Sequence, residues 1–369
     1  MKTSTNYYIG IDAHKRFSQV HVLGDDGSTA WKGRIEDNDP AAFESLVHQL
    51  GGSCKAVFEA SMNWHVLHDT LSSIKGIEEV VMAHPLKVRI ICDAQLKNDK
   101  VDAMRLAQLL RLDMVPRAHA ASPEARHTKE LVRQRACWVG MRTRIRNRTH
   151  RLLGGVPGGV DLPQCSDLFG RKGTCAMRGL GLPEPHRLQL DQNLETLVEL
   201  QAKIAPIEKQ LEARCRDHPD MKLLRTIPGL GKVLASVIGS EIDGIGRFAT
   251  KAHFIGYCGL APTTHGSAGK FNQGRMIAQC NRWLKWAFIE AAWVAIGCDA
   301  YFGSLFKAQR DRGKKANTAI TIVARRIAQI AWEILSQQRA YRNDIKSKPV
   351  TGTKTFPARS SQGLVGEPA

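Results

Sequence analysis

Two acidic residues close apolar runs near the start of the chain, and they restrict the folds that the chain can adopt. Asp12 ends YYIGID and Glu59 ends KAVFE. The alternate residues Ile9, Ile11 and Val57 are typical of strands that face a core. A carboxylate beside such a core is costly to bury unless a cation pairs with it. The fold must therefore supply a positive partner where these strands end.

Two more acids lie three residues apart in KNDKVDAMRLAQLLR, a segment with strong helical propensity. Asp99 and Asp102 then project from one helix face. Four converging carboxylates suit Mg²⁺ or Mn²⁺, and two such ions about 3.5–4 Å apart can activate an attacking oxygen and stabilise a leaving one in phosphoryl transfer. Each acid alone also has an ordinary explanation, such as a turn cap, an ion pair with lysine or a solvated helix face. The four acids occur along the sequence as strand Asp, strand Glu and helix Asp-x-x-Asp, and this order favours a metal site.

The positive charge of the chain is unevenly distributed. The formal net charge is +18, but residues 1–115 hold 13 Lys and Arg against 15 Asp and Glu, which leaves +20 on residues 116–369. Such asymmetry favours a polyanion such as nucleic acid, bound outside the acidic part, because phosphate neutralisation supplies much of nucleic-acid affinity. A basic protein without a nucleic-acid partner is the alternative.

The sequence gives no indication of a membrane or an oxidising compartment. It contains no run of about 18 apolar residues and no secretory leader pattern, so we expect a cytoplasmic protein with no membrane partner. Its nine cysteines are widely spaced and form no C-x-x-C motif, which is typical of reduced thiols.

The first 120 residues have the element order of a ribonuclease H-like (RuvC-like) α/β domain, with a three-strand meander followed by alternating helices and strands. The domain is predicted to span residues 1–120. The predicted elements are strands 7–12, 17–23 and 28–34, helix 40–50, the strand ending at Glu59, helix 63–74, strand 79–82 and the helix that carries Asp99 and Asp102.

Residues 121–217 are predicted to form a basic, helical coiled-coil insertion. Along helix 126–153, Leu131, Trp138, Ile145 and Leu152 recur every seven residues. Nine Lys and Arg within residues 126–151 accompany one acid, so the rest of this helix is expected to bind nucleic-acid backbone. The candidate contacts are Arg133, Arg135, Arg142, Arg144, Arg146 and Arg148.

A second helix over 190–211 repeats leucine and isoleucine at helical spacing, and Pro206 is expected to kink it. The Gly- and Pro-rich segment 154–183 is predicted to be a loop. The two apolar seams either pair within one chain or are completed by a second subunit.

Residues 218–342 are predicted to be a mostly helical domain that begins with a helix-hairpin-helix over 223–242. Pro228 should end the first helix, while Gly229 and Gly231 permit a tight turn. The amides that begin the second helix, with Lys232, would hold a phosphate without reading sequence. A helical hairpin without a ligand is the alternative.

A Gly-Ser segment then follows within GLAPTTHGSAGK. Ser267 lies between glycines, so its hydroxyl should be accessible, and Lys270, Arg275 and Arg282 supply positive charge for a phosphodiester. An ordinary Gly-Ser loop is the alternative. A final helix is predicted over 317–338, and residues 343–369 are predicted to be a disordered tail.

Six motifs, in this order, resemble one known family over almost the whole chain: YIGIDAHK, AVFEAS, KNDKVDAMRLAQ, IPGLG, GLAPTTHGSAGK and NRWLKWAFIEAA. The family is the insertion-sequence-110/1111 group, which are bridge-RNA-guided DEDD transposases. The first three motifs are similar to its RuvC-like domain, and the last three to its C-terminal transposase domain.

This resemblance implies specific roles. It assigns Asp12, Glu59, Asp99 and Asp102 to a metal site, and it makes Ser267 the nucleophile of a covalent 5′-phosphoserine intermediate. The family loop often reads SSGGK where this chain has GSAGK, so Ser267 matches the second serine. The resemblance also implies donor and target DNA, a structured non-coding guide RNA, and protein dimers or a tetramer on DNA. It further implies that the protein is prokaryotic and associated with the nucleoid.

Three other functions are compatible with parts of the sequence. A RuvC-like Holliday-junction resolvase or nuclease that uses water would explain the acids and the charge, but would leave Ser267 without a role. An actin-like ATPase is faintly suggested by GIDAHK, although the glycine expected after Asp12 is Ala13. A purely structural nucleic-acid binder would leave the four acids unexplained.

Overall fold

The structure is a computed structural model that describes residues 7–341 apart from residues 62, 92–98, 157, 163 and 268–269. Side chains at 99–100, 264–267 and 270–273 also lie outside the description. The predicted disordered tail, 343–369, falls wholly outside the described residues. The chain divides into two compact units, Met1–Ala121 and Ser122–Ala369.

The first unit is built on a five-stranded sheet, which confirms the mixed α/β prediction for this part. The strand order is β3-β2-β1-β4-β5, with β1 antiparallel to β2, β2 antiparallel to β3, and β1, β4 and β5 mutually parallel. The strands are β1 (Tyr7–Ala13), β2 (Phe17–Gly24), β3 (Thr29–Glu36), β4 (Cys54–Glu59) and β5 (Ile77–Ala83). The helices are α1 (Pro40–Leu50), α2 (Trp64–Ser73), α3 (Pro85–Ile91) and α4 (Asp99–Arg111). Helix α3 is an addition to the predicted elements.

The predicted alternation along the strands divides the sheet into two faces. Ile9 and Ile11 are buried in one cluster with Phe43 of α1 and Leu71 of α2. Val57 is buried in a second cluster that includes Leu106 and Leu110 of α4. Because successive strand residues point to opposite faces, Gly10, Asp12 and Glu59 belong to the face that α4 covers.

A glycine sets how closely α4 approaches the sheet. A Cβ atom on Gly10 would lie 2.0 Å from the carbonyl oxygen of Ala103 and 2.5 Å from the amide nitrogen of Ala107. Both atoms belong to the helix backbone, so no rotamer change could make room. The contact therefore requires glycine, and it fixes the height of α4 above β1.

Gly10→Ala is expected to lower the free energy of unfolding of the first unit by about 1–3 kcal/mol, because overpacking forces the backbone of α4 away from β1. Hydrogen exchange of peptides from β1 and β4 measures this unit specifically. Gly24→Ala is the matched control, since its added Cβ would meet only side-chain atoms, the nearest at 3.0 Å. Equal protection in the two variants would contradict the packing explanation.

The second unit is mostly helical, as predicted. Its core is formed by three apolar helices, α9, α11 and α13, together with shorter helices around them. The helices are α5 (Pro123–Gly154), α6 (Arg171–Arg178), α7 (His186–Asp217), α8 (Pro219–Leu224), α9 (Lys232–Ile242), α10 (Lys251–Tyr257), α11 (Arg282–Cys298), α12 (Ala300–Asp311) and α13 (Ala316–Gln337). One antiparallel hairpin, β6 (Pro262–Ser267) and β7 (Lys270–Met276), interrupts them.

The long helix α5 packs against α7, but its predicted heptad stripe is only half-buried. The fully buried residues of α5 lie near its two ends, where other elements also cover it. Val132 joins the core that contains α9, and Leu153 packs with Met177 of α6. A two-helix pair without a third element leaves the middle of such a stripe half-buried, so completion of the seam by a second subunit stays a prediction.

Three local predictions are corrected by the structure. The segment 154–183, predicted as a loop, contains α6, whose Met177 is fully buried. The first helix before Pro228 ends at Leu224 rather than at the proline, because Pro228 has no N–H to donate to the Leu224 carbonyl and disfavours helical geometry at Ile227. The segment predicted as a Gly-Ser loop is a β-hairpin.

Pro206 lies inside α7, which runs from His186 to Asp217.

The helices of the described part of the chain include none that is both long and apolar enough to cross a membrane.

Candidate active site and nucleic-acid interface

Two of the four predicted acids are neighbours at one end of the sheet. In the parallel pair β1 and β4, Ile11 is opposite Phe58, so Asp12 and Glu59 follow as the next residues of each strand. Both lie on the face covered by α4, at the carboxyl ends of their strands, and both side chains are half-buried. The register therefore brings together two carboxylates that are 47 positions apart in the sequence.

The direction of α4 brings its first turn to the same end of the sheet. Arg111, the last residue of α4, donates a hydrogen bond to the carbonyl oxygen of Asp25 in the β2–β3 turn, at 3.3 Å. That turn adjoins Gly24, which pairs with Tyr7 at the beginning of β1. Since the last residue of α4 lies at the start of β1, its first turn lies near the end of β1, where Asp12 is.

Asp102 continues the sheet-facing stripe of α4 by one turn. Ala103 and Leu106 face the sheet, and Asp99 and Asp102 precede them by four positions each. Asp102 is 42% exposed and lies 3.7 Å from Nη1 of Arg105. The side chain of Asp99 is outside the described residues.

The four acids provide a suitable donor set for a divalent cation, since all are carboxylates and Mg²⁺ and Mn²⁺ prefer oxygen ligands. Among the side chains that the structure describes, no three His, Cys, Asp or Glu groups converge closely enough to form a metal centre. The convergence of all four acids therefore stays a prediction. The structure describes two parts of this predicted site, which are the pair of acids on the strands and the first turn of α4.

Sequence reasoning missed His14, which contacts Asp12. Its Nε2 lies 3.2 Å from Oδ2 of Asp12, and its ring stacks on Phe17 with centroids 4.5 Å apart. The side-chain amide of Asn38 donates to the His14 carbonyl oxygen at 2.9 Å. The D-x-H spacing at the end of β1 was the available signal, because residues two apart on an extended segment share a face.

The predicted nucleophile, Ser267, lies at the tip of the β6–β7 hairpin. Its Cα pairs with that of Lys270, the last pair before residues 268–269. The side chains of both residues are outside the described part of the structure. The backbone thus places Ser267 and Lys270 next to each other across the hairpin, which sequence reasoning treated as a loop.

The base of this hairpin is attached to the helical core. Nε of Arg325 donates to the carbonyl oxygen of Leu260 at 2.6 Å, just before β6. The amide of Ile277 donates to the Ala261 oxygen at 3.1 Å, just after β7. The first bond attaches the start of the hairpin to α13, and the second joins the two ends of the hairpin to each other.

Two of the predicted nucleic-acid contacts have carboxylate partners within the second unit. Nη2 of Arg133 lies 2.7 Å from Glu241, a buried side chain that also accepts a hydrogen bond from Asn281 at 2.9 Å. Arg135 donates from Nε and Nη2 to Glu208 at 2.9 and 2.6 Å. These arginines help to hold α5 against its neighbours. The paired residues are up to 108 positions apart in the sequence.

The other four predicted arginines of α5 form no hydrogen bond or ion pair with an acid among the described residues, although the charge of Glu208 acts on Arg142 from nearby. Arg142 donates to the Gln201 side chain at 2.8 Å, Arg144 reaches only a backbone oxygen at 3.4 Å, and Arg146 lies over Phe169. Arg148 is exposed. The positive charge of this part of α5 is therefore not neutralised within the described structure.

The predicted phosphate-binding turn between α8 and α9 has a packing role as well. Gly229 has a φ of 87°, and a Cβ there would lie 2.3 Å from the carbonyl oxygen of Ala291 in α11. Gly231 precedes α9, and Nζ of Lys232 lies 3.5 Å from Glu212. Arg275 and Arg282, on either side of the β7–α11 connection, are exposed.

Comparisons with known proteins match two parts of the chain. Residues 9–156 match a family model described as a transposase, the DEDD transposase of IS110, and residues 221–307 match one described as the IS116/IS110/IS902 transposase family. Together these matches cover more than half of the chain.

Curated relatives match across nearly the full length. The chain is 23% identical to a probable family 20 transposase of Pseudomonas aeruginosa, over 90% of this chain and 98% of that protein. It is 23% identical to the transposase for insertion sequence element IS1328 of Yersinia enterocolitica, over 89% and 96%. It is 26% identical to the mini-circle putative transposase for IS117 of Streptomyces coelicolor, over 81% and 87%.

Proposed function

The chain belongs to the IS116/IS110/IS902 family of insertion-sequence transposases, and we propose that it cuts and rejoins DNA by a metal-dependent reaction through a covalent 5′-phosphoserine at Ser267. Membership of a transposase family implies cleavage and rejoining of DNA. The requirement for a metal and the role of the serine are our proposals beyond family membership.

The observation that carries the proposal is the position of Asp12 and Glu59. They are adjacent at the carboxyl ends of two parallel strands, on the face that α4 covers, and the turn with Asp99 and Asp102 lies at the same end. The strand order and this face are what a ribonuclease H-like domain would need. We therefore propose that the four carboxylates hold Mg²⁺ or Mn²⁺.

A bound cation of this kind would polarise the scissile phosphate. In the proposed first step, the Ser267 Oγ–P bond forms, the P–O3′ bond breaks, and the serine proton passes to the departing 3′-oxygen. A 3′-hydroxyl of the exchanged strand then attacks the phosphoserine, forms a new phosphodiester and returns a proton to Oγ. The phosphoester conserves the bond energy, so ATP is not needed.

Nucleic-acid backbone is the proposed partner of the second unit. Four arginines that form no ion pair in the described structure support this, namely Arg142, Arg144, Arg146 and Arg148. We propose that a structured non-coding guide RNA selects donor and target DNA by base pairing, which would leave the protein to bind backbone. The α8–α9 turn is proposed as a helix-hairpin-helix phosphate contact, and dimers or a tetramer as the assembly on DNA.

A second function, a junction resolvase or nuclease that uses water, is favoured by one observation. The Asp12–Glu59 pair would suit that chemistry without any serine. The two functions differ in one product, because only the first leaves protein joined to DNA.

Changing Arg142, Arg144, Arg146 and Arg148 together to Gln should flatten the dependence of nucleic-acid affinity on salt. The slope of log K against log salt should fall by roughly 0.7–0.9 for each phosphate that the variant no longer neutralises. Filter binding across a salt series measures it, with circular dichroism as the control for folding. An unchanged slope would show that this surface is merely solvated.

A further inference from the structure

A pocket of about 270 Å³ opens between α5, α7 and the turn that precedes α6, and its lining combines two arginines with an apolar wall. It lies wholly within the second unit. The lining residues are Arg142, Arg146, Phe169, Thr174, Leu194, Leu197, Val198 and Gln201.

The positive half of the pocket consists of two arginines that form no ion pair among the described residues. Arg142 and Arg146 are four residues apart on α5, so their side chains are neighbours on one helix face. The Nε atom of Arg146 is buried without a hydrogen-bond partner among the described atoms. Arg142 donates its described side-chain hydrogen bond to the neutral Gln201, and the nearby Glu208 forms no ion pair with it. Burial, followed by the nearby charge of Arg146, lowers the pKa of Arg142. Two like charges held together in a concavity favour binding of a phosphate.

The apolar half of the pocket is held in place by contacts within the described structure. The Phe169 ring lies 5.0 Å from the Arg146 guanidinium and is packed edge-on against His150 at 5.2 Å. Its backbone is held by Asp167, whose side chain accepts a hydrogen bond from the Phe169 amide at 3.0 Å. Val198, which also lines the pocket, is 60% exposed, which is high for an apolar residue in a helix. The wall thus offers an apolar surface without a described partner.

We propose that this pocket binds one unpaired nucleotide of a single-stranded nucleic acid. Its phosphate would contact Arg142 and Arg146, its base would lie against Phe169 and Val198, and Gln201 would meet the base edge. This inference rests on the proposed function, because it names what the basic surface of α5 recognises.

Three physical arguments favour a single nucleotide. The pocket lies just below the roughly 300–1,000 Å³ of small-molecule sites, so it suits one nucleotide and excludes a duplex. A base combines a flat apolar face with a nearby phosphate, which matches both halves of the lining. Arginine planes and aromatic rings are also the usual contacts for splayed bases in single strands, and they tolerate any sequence.

The first test uses two double variants of equal charge in the full chain, Arg142→Gln/Arg146→Gln and Arg144→Gln/Arg148→Gln. Each removes two positive charges from α5, but only the first pair lines the pocket. Fluorescence anisotropy with labelled twelve-nucleotide single-stranded RNA, the same sequence as DNA, and duplex DNA measures affinity in EDTA. The pocket pair should weaken single-strand binding about tenfold more than the control pair, while both weaken duplex binding equally. Equal losses on single strands would overturn the proposal.

The second test changes the shape of the pocket and leaves its charge intact. Val198→Gln places a larger, uncharged polar side chain at an exposed position of the apolar wall, so the fold should tolerate it, and it should lower single-strand affinity about tenfold with an unchanged salt slope. Normal single-strand affinity in this variant would show that no base enters.

Competition by small probes identifies what the pocket recognises. A nucleoside monophosphate should displace the labelled strand more effectively than inorganic phosphate, and equal potency would reduce the site to a phosphate contact and overturn the base assignment. A preference for the RNA or the DNA oligonucleotide identifies the strand that supplies the nucleotide. All these measurements omit metal and do not involve Ser267, so failure of the proposed cleavage chemistry would leave their outcome unaffected.

Discussion

Asp12→Ala and Asp102→Asn should each lower DNA cleavage by more than about 100-fold while leaving DNA affinity nearly unchanged. Loss of a residue that only orients a metal ligand already costs 10–100-fold, so loss of a ligand should cost at least as much. DNA affinity is expected to depend on the basic second unit, which neither substitution touches. Cleavage of a labelled donor duplex at saturating protein, with Mg²⁺ and with Mn²⁺, measures the first effect, and gel shifts in EDTA measure the second.

Glu44→Gln is the control for this pair of variants. Glu44 is an exposed acid on α1, so its substitution removes one negative charge from the same unit without touching the sheet end. It should cleave like the original protein. If both site variants also cleaved normally with Mg²⁺, the carboxylates would not hold a catalytic metal.

Ser267→Ala should abolish both the covalent protein–DNA adduct and strand exchange. No neighbouring group can replace the oxygen that carries the phosphoester, so the loss should be complete rather than partial. Binding should survive, because one hydroxyl contributes on the order of 1 kcal/mol, far less than the electrostatic contribution of the basic surface. Gel separation of adduct under denaturing conditions and a strand-exchange assay provide the two readouts.

Thr264→Val is the matched control for the serine variant. Thr264 is on the same strand, β6, so this change removes a hydroxyl three positions from the proposed nucleophile. It should retain adduct formation and exchange. Cutting and rejoining by the Ser267→Ala protein would identify water or another hydroxyl as the nucleophile.

The sheet of the first unit was predictable because its strands alternate in polarity. Ile9 and Ile11 share a buried face as expected, and Asp12 follows on the other face. The contact of Gly10 with α4 was not predictable, since a glycine inside a strand does not reveal which element approaches it. That contact and the direction of α4 position Asp102, so sequence alone could propose the four acids but could not show where α4 places Asp102.

Contacts between distant residues were beyond sequence reasoning for a different reason. The pairing of Arg133 with Glu241 joins residues 108 positions apart, and nothing in a basic helix shows which of its arginines will meet an acid. The β6–β7 hairpin was missed because its strands are polar and rich in glycine and threonine, so they lack the apolar alternation that marks a half-buried strand.

Trapping the reaction on a suicide DNA substrate, with peptide mapping of the protein that remains attached, tests the proposed phosphoserine link. We expect a 5′-phosphate joined to Ser267 within HGSAGK, formed by the unmodified protein and absent from Asp12→Ala. Cleaved DNA with a free 5′-phosphate and no attached peptide, or a bond mapped to Thr263 or Thr264, would contradict it.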